Sequence, residues 1–380
     1  MKSFTIYLIL NLIMTNFSDR EVPGKRASDY GIKTGVLRSG RKNAITDVPG
    51  VRVGHVTLND GVSVFTGVTA ILPHDGNIFR NKVPAAIFAG NGYGKLTGYT
   101  QVEELGNIET PIILTNTLSV PVAADALIDY TLSIPENKSI RSVNPVVGET
   151  NDGTLNDIQK RVITKTHVIQ AIQNADTGIV AEGNVGAGTG TVCFGFKGGI
   201  GTASRMLPVK RGGYTVGVLV QTNFGGILQI CGVPVGQELG KYRFNTIEKE
   251  YKDDGSCMVV IMTDAPLDSR NLKRLAARAM AGIARTGGMT SNSSGDYAIA
   301  VSTNEKLRVP HFSVSRFEEK TVLRNDEMDL LFEAVIEATE EAVINSLFGA
   351  ETLTGNGNVT IESLPVDKTL EILRKYNRIR

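Results

Sequence analysis

The run Cys257-Met258-Val259-Val260-Ile261-Met262 is apolar at every position, so a strand built from it presents hydrophobic side chains on both faces and must be covered on both. It begins abruptly. Glu248-Lys249-Glu250-Tyr251-Lys252-Asp253-Asp254 is too polar to be buried, and only Gly255-Ser256 separates the two segments. Strand-like stretches recur at Gly50 to Val56, Val68 to Leu72, Ala85 to Ala89, Thr191 to Phe196, Tyr214 to Thr222, Ser256 to Thr263 and Tyr297 to Ser302. Helical periodicity is clearest late in the chain. Ser269 to Arg285 puts Leu272, Leu275, Ala276, Ala279 and Ile283 on one face, with Ser269 as N-cap and Gly287 beyond the end. Asp326 to Phe348 carries Leu330, Leu331, Val335, Ala338 and Ala342, and Val366 to Tyr376 reads as a final short helix. Near-continuous apolar strands, mixed with helices but without strict βαβ alternation, predict an α/β (α+β) architecture in which helices cover a sandwich of largely buried sheets.

Composition excludes several functions. Forty basic against 39 acidic residues leave no net field, so nothing favours nucleic acid or an anionic membrane as a partner. Cys193, Cys231 and Cys257 have no Cys-x-x-Cys spacing and make neither a disulfide framework nor a zinc site. His55, His74, His167 and His311 are dispersed, which gives no metal site and no Ser-His-Asp triad; each reads as a surface or strand-edge residue. The glycine clusters Gly90 to Lys95 and Gly183 to Gly190 lack Walker and dinucleotide spacing. They read as loops that bring backbone close to a substrate or a partner subunit, and no cofactor is called for. At the N-terminus, Lys2 and the apolar Phe4 to Met14 resemble a short secretory signal, too short to span a bilayer and interrupted by Asn11. Residues 1–26 are therefore read as an extension of signal peptide and linker. Cleavage of that signal would make the protein periplasmic or secreted; without it the protein is cytoplasmic. Residues 27–380 are read as a single domain.

Two readings of Gly255-Ser256 stand side by side. Asp254-Gly255-Ser256 is an ordinary turn opening a strand. Alternatively, a cut before Ser256 frees an α-amine, a group that ordinarily titrates at about 7.7–8.0 and can serve as base for the residue's own hydroxyl. With no histidine partner in view, that amine is the base such a hydrolase would need. Three further polar positions fit a turn or cap as readily as a site: the Ser291 to Asp296 loop feeding a strand, Asn223 at a strand end, and Glu149 in Pro145 to Gly153.

The chain resembles the S58 (P1) peptidase family, which includes L-aminopeptidase/D-amidase/esterases and β-peptidyl aminopeptidases. The resemblance is carried by Ala44 to Val51 with Val53-Gly54-His55, the Gly90 to Gly98 loop, Leu114 to Thr117 and Pro145 to Glu149. Gly183 to Gly186, Phe196 to Arg205, Gly255-Ser256 and Thr263 to Leu267 complete it. It implies an αββα sandwich of the N-terminal nucleophile type, self-cleaved between Gly255 and Ser256 into an α-chain ending at 255 and a β-chain of 256–380. It implies Ser256 as nucleophile, Ser294 as second serine, Asn223 as oxyanion amide and Glu149 as partner of the substrate's amino group. The family often has Glu where this chain has Asp296, and some members have Tyr where it has Asn151, which is expected beside the substrate. The implied substrate is a peptide or an aminoacyl amide or ester, and the implied assembly a tetramer of cleaved αβ units. Two alternatives remain at this point: an acyltransferase of the ornithine acetyltransferase type, and a non-catalytic scaffold.

Overall fold

The computed structural model describes residues 26–246 and 255–380. The signal-like stretch and the charged Glu248 to Asp254 segment lie outside the described residues. Arg26 already belongs to the folded body: its guanidinium pairs with Glu182 at 2.5 Å and donates to the Thr202 carbonyl.

Two sheets lie face to face. The first orders Arg52–Asn59 (β1), Phe65–Leu72 (β2), Ile112–Asn116 (β4) and Val146–Thr150 (β5). The second runs Asn81–Gly92 (β3), Gly295–Ser302 (β9), Ser256–Thr263 (β8), Thr215–Asn223 (β7) and Ile200–Met206 (β6), with short pieces Asn107–Ile108 and Val309–Pro310 paired to β3. Helices Val120–Ser133 (α1) and Lys165–Gln173 (α2) cover the first sheet, and Ser269–Arg285 (α3) and Asp329–Phe348 (α4) the second. This is the αββα sandwich.

Strand β8 shows why four layers are needed. Cys257, Val259 and Ile261 point into the helix-side core with Leu275, Ala276 and Val335. Met258, Val260 and Met262 point between the sheets, against Ile71, Leu114 and Val146. With both faces apolar, neither can meet water. Helix α4 rests directly on β6: a Cβ on Gly201 would stand 1.9 Å from the Ala342 carbonyl oxygen. Among the described residues, no helix is long and apolar enough to cross a membrane.

Several expectations change. Thr191 to Phe196 is not a strand but a tight hairpin, Val192–Cys193 against Phe196–Lys197. Phe194 and Gly195 at its tip have φ of 53° and 75°, the paired left-handed residues of a two-residue turn. Helix α3 is capped by Asp268 rather than Ser269, because the Asp268 carboxylate accepts the Asn271 N–H at 2.9 Å. Asn325–Glu327 forms a separate 3₁₀ turn, so α4 opens at Asp329. His74 is buried rather than superficial, held between the Asn81 carbonyl and the Gly76 N–H.

Gly201→Val forces α4 off the sheet that carries the candidate site. It is expected to lower unfolding free energy by at least the usual overpacking cost of about 1–3 kcal/mol, read from urea denaturation; an unchanged midpoint would contradict this contact.

Candidate active site

One transverse row of residues closes the end of the second sheet. Asn223 of β7 pairs with Ser256 of β8, Ser256 with Gly295 of β9, and Gly295 with Gly92 of β3. The pairing follows from strand ends that coincide: β7 stops at Asn223 while β8 and β9 start at Ser256 and Gly295.

Ser256 is 4% exposed, and its hydroxyl donates to the Gly255 carbonyl oxygen at 2.6 Å. The same oxygen accepts the Gly295 N–H at 3.2 Å. The carbonyl preceding the serine is therefore polarised by a fixed backbone donor with a hydroxyl oxygen beside it. A Cβ on Gly255 would stand 3.2 Å from Ser294 Oγ and 3.6 Å from Ser291 Oγ, so both hydroxyls border this peptide unit.

Asp296 lies in register with Cys257, not Ser256. Its carboxyl shares the helix-side face with that thiol, with the Ser294 hydroxyl close enough to lower its pKa. Burial pushes the Asp296 carboxyl up to about 6, against an opposing pull from the Ser294 hydroxyl. Oδ2 of Asp296 and Oγ of Ser294 are buried, and among the described residues neither has a hydrogen-bond partner of ordinary geometry. Such buried, unsatisfied acceptors are costly unless a donor arrives.

The Asn223 amide is oriented by the hairpin, whose Val192 N–H donates to Oδ1 at 3.0 Å. That contact fixes the nitrogen as the amide's donor end. Asn223, Gly255 and Asn151 line a cleft of about 450 Å³, together with Val192, Ile158 and Phe224. Asn151 Oδ1 accepts the Gly153 N–H at 2.8 Å, so this side chain also closes its own turn. Glu149 is 3% exposed and does not line that cleft. One of its oxygens accepts the Lys95 N–H at 3.0 Å and the other the Thr117 hydroxyl. Gly94 lies between this carboxylate and Gly295, which connects Glu149 to the transverse row. The amino-acid sequence places backbone near the substrate or a partner subunit at the Gly90 to Lys95 loop and sets Thr117 in a resembling stretch, but gives neither a part in holding Glu149.

A larger cleft of about 600 Å³, lined by Arg52, His74, Asp264 and Arg308 among others, opens at the opposite ends of the same strands and holds none of the candidate residues. Among the described residues no cluster of His, Cys, Asp and Glu is gathered as for a metal ion, and none of the four histidines lines the 450 Å³ cleft. Lys197 is buried near the hairpin and bonded to the Gly188 and Gly198 carbonyls, and burial lowers its pKa to about 7.

A carboxyl whose folded-state pKa stands above its unfolded value of about 3.9 binds its proton more tightly when folded. Asp296 thus stabilises the uncleaved fold below about pH 4 and loses that contribution as pH rises through about 6. In a Ser256→Ala background, Asp296→Asn is expected to melt above its parent at pH 8, with the gap closing below about pH 4. Equal gaps at both pH values in differential scanning calorimetry would contradict the assignment.

Comparison with known proteins identifies the family. The profile of Peptidase family S58 matches residues 43–361. The β-peptidyl aminopeptidase BapA of Sphingosinicella microcystinivorans is 42% identical over 393 residues, spanning 98% of this chain and 97% of the relative. Among solved structures, the PH0078 protein of Pyrococcus horikoshii OT3 superposes with a TM-score of 0.86 at 48% identity, covering 93% of this chain and all of that one. The L-aminopeptidase D-Ala-esterase/amidase of Ochrobactrum anthropi, described as a serine aminopeptidase with a variant Ntn hydrolase fold, gives 0.84 at 36% identity over 93% of this chain and 99% of its own.

Proposed function

Since the chain belongs to peptidase family S58 and is a serine aminopeptidase, we propose that Ser256, freed by self-cleavage after Gly255, is its nucleophile. The observation that carries the reading is the Ser256 hydroxyl lying 2.6 Å from the carbonyl oxygen of the bond to be cut, while a backbone N–H polarises that carbonyl from another side.

Maturation begins when Ser256 Oγ attacks the Gly255 carbonyl carbon. The C–N bond breaks, the Ser256 nitrogen takes a proton to become an amine, and an ester links Gly255 to Oγ. Water hydrolyses that ester, leaving a Gly255 carboxylate and a free Ser256 hydroxyl. The new amine lies beside the Ser294 hydroxyl, and the nearby Asp296 carboxylate gains a cationic neighbour. Loss of Gly255 from the cleft wall opens Ser256 to the cleft.

In turnover the Ser256 amine accepts the hydroxyl proton as Oγ attacks the substrate carbonyl, then returns it to the leaving amine or alcohol. The Asn223 amide donates to the oxyanion, a contribution of roughly 3–4 kcal/mol for one such donor. Glu149 receives the substrate's ammonium, which restricts cleavage to the first residue. Peptides with an N-terminal β-amino acid are the proposed substrates, by likeness to the β-peptidyl aminopeptidase relative, which spans nearly the whole chain. A homo-oligomer of cleaved αβ units is proposed from the family resemblance.

Denaturing mass spectrometry of active protein is expected to find two fragments meeting at Gly255/Ser256, with Ser256→Ala remaining one chain and hydrolysing no aminoacyl p-nitroanilide. A panel of β-, L- and D-residue p-nitroanilides is expected to give the highest kcat/KM for β-residues. Full activity from an intact chain, or in Ser256→Ala, contradicts the mechanism; a preference for L-residues contradicts only the substrate.

A further inference from the structure

The Gly90 to Lys95 loop takes no part in the chemistry above, yet it touches both halves of the site. Asn91 Nδ2 lies within hydrogen-bonding distance of three carbonyl oxygens of one turn: Ser291 at 3.0 Å, Asn292 at 3.2 Å and Ser294. An amide has two hydrogens, so these bonds are shared among three acceptors. The Tyr93 N–H adds a second donor to the Ser294 carbonyl at 3.2 Å, and the turn is closed by the Ser294 N–H on the Ser291 carbonyl at 2.9 Å. Farther along the loop, the Lys95 N–H holds Glu149.

The pairing of β9 with β8 runs unbroken to Gly295 and stops there, so Ser294 lies one residue beyond it. Asn91 pairs with Asp296, but the register between β3 and β9 shifts immediately afterwards, between Asp296 and Tyr297. A bulge breaks the β3 ladder locally, so the long β3–β9 pairing does not carry its order past Asp296 to Ser294. The position of that hydroxyl depends on what grips its own turn, and Asn91 is a side chain that grips it at three carbonyls.

We propose that Asn91 is a positioning residue: through the carbonyls of Ser291, Asn292 and Ser294 it holds the Ser294 hydroxyl and the Gly295 N–H against the Gly255–Ser256 bond. The inference rests on the roles given above to Ser256 and Ser294. Asn91 itself touches no reacting atom.

Asn91→Leu keeps the approximate shape and removes both donors; Asn91→Ala tests the same loss if the leucine variant misfolds. Misplacement of a catalytic group by about 1 Å costs up to about a hundredfold, so both variants should slow fragment formation and lower kcat per folded molecule by roughly ten- to a hundredfold. KM for an aminoacyl p-nitroanilide should stay within about twofold, because the Lys95 N–H still holds Glu149. A purely structural role would lower melting temperature while leaving maturation rate and kcat of the folded fraction unchanged, and that result overturns the proposal. Ser256→Ala and Ser294→Ala run in parallel separate the two levels. If either still matures and hydrolyses normally, the site reading fails and takes the inference with it. If both are inactive while the Asn91 variants behave as wild type, only the inference fails.

Discussion

The parallel pairing of Ser256–Thr263 with Gly295–Ser302, in the register that sets Ser256 beside Gly295, is the constraint from which the site follows. A parallel pair needs a long crossover, supplied here by the Ser269–Arg285 helix, and the crossover returns the chain to the end of the sheet where it started. The nucleophile's strand and the strand that follows Ser294 therefore begin together. Antiparallel pairing on the other side brings the end of Thr215–Asn223 to the same row. A one-residue slip in either ladder would turn Asn223 or Ser256 to the opposite face. The apolar alternation of Cys257 to Met262 between two different cores penalises such a slip, since it would exchange every side chain of the strand.

The electrostatics of the uncleaved chain suit a site awaiting a charge. Asp296 is 1% exposed, its pKa is raised by burial, and among the described residues one of its oxygens has no partner. Asp296 has one methylene less than the Glu often found in the family, and Ser294 is the side chain that pulls against its raised pKa. Cleavage would supply an ammonium on the far side of that hydroxyl, which favours the ionised carboxylate and draws its pKa down. The shorter acid is thus coupled to Ser294.

Much of this was legible in the sequence because local and tertiary preferences agree there. Ser256–Thr263 and Ser269–Arg285 have the predicted bounds, one apolar on both faces, the other amphipathic with its five marked residues buried. Ile200–Met206 is absent from the expected strands because Thr202, Ser204 and Arg205 interrupt its apolar pattern. They are buried because Thr202 bonds the Val218 carbonyl, Ser204 bonds Asp47, and Arg205 pairs with Glu337 and Glu341. No local pattern announces partners so distant along the chain. The same holds within the site. Ser256, Asn223 and Glu149 could be singled out by resemblance, whereas the grip of Asn91 on the 291–294 turn and of Thr117 on Glu149 exists only once the strands are paired. The hairpin at Phe194-Gly195 failed for the converse reason: its apolar residues favour a strand, while the backbone needs two consecutive left-handed residues.

The central claim is that the hydroxyl of Ser256, at the N-terminus of a cleaved chain, carries the acyl group during turnover. Rapid acid quench of the protein turning over an aminoacyl p-nitrophenyl ester, followed by peptide mass mapping, tests it most directly. An aminoacyl mass increment is expected on the peptide that begins with Ser256, absent in Ser256→Ala. Steady hydrolysis with the increment on a different residue, or on a chain still joined to Gly255, would contradict it.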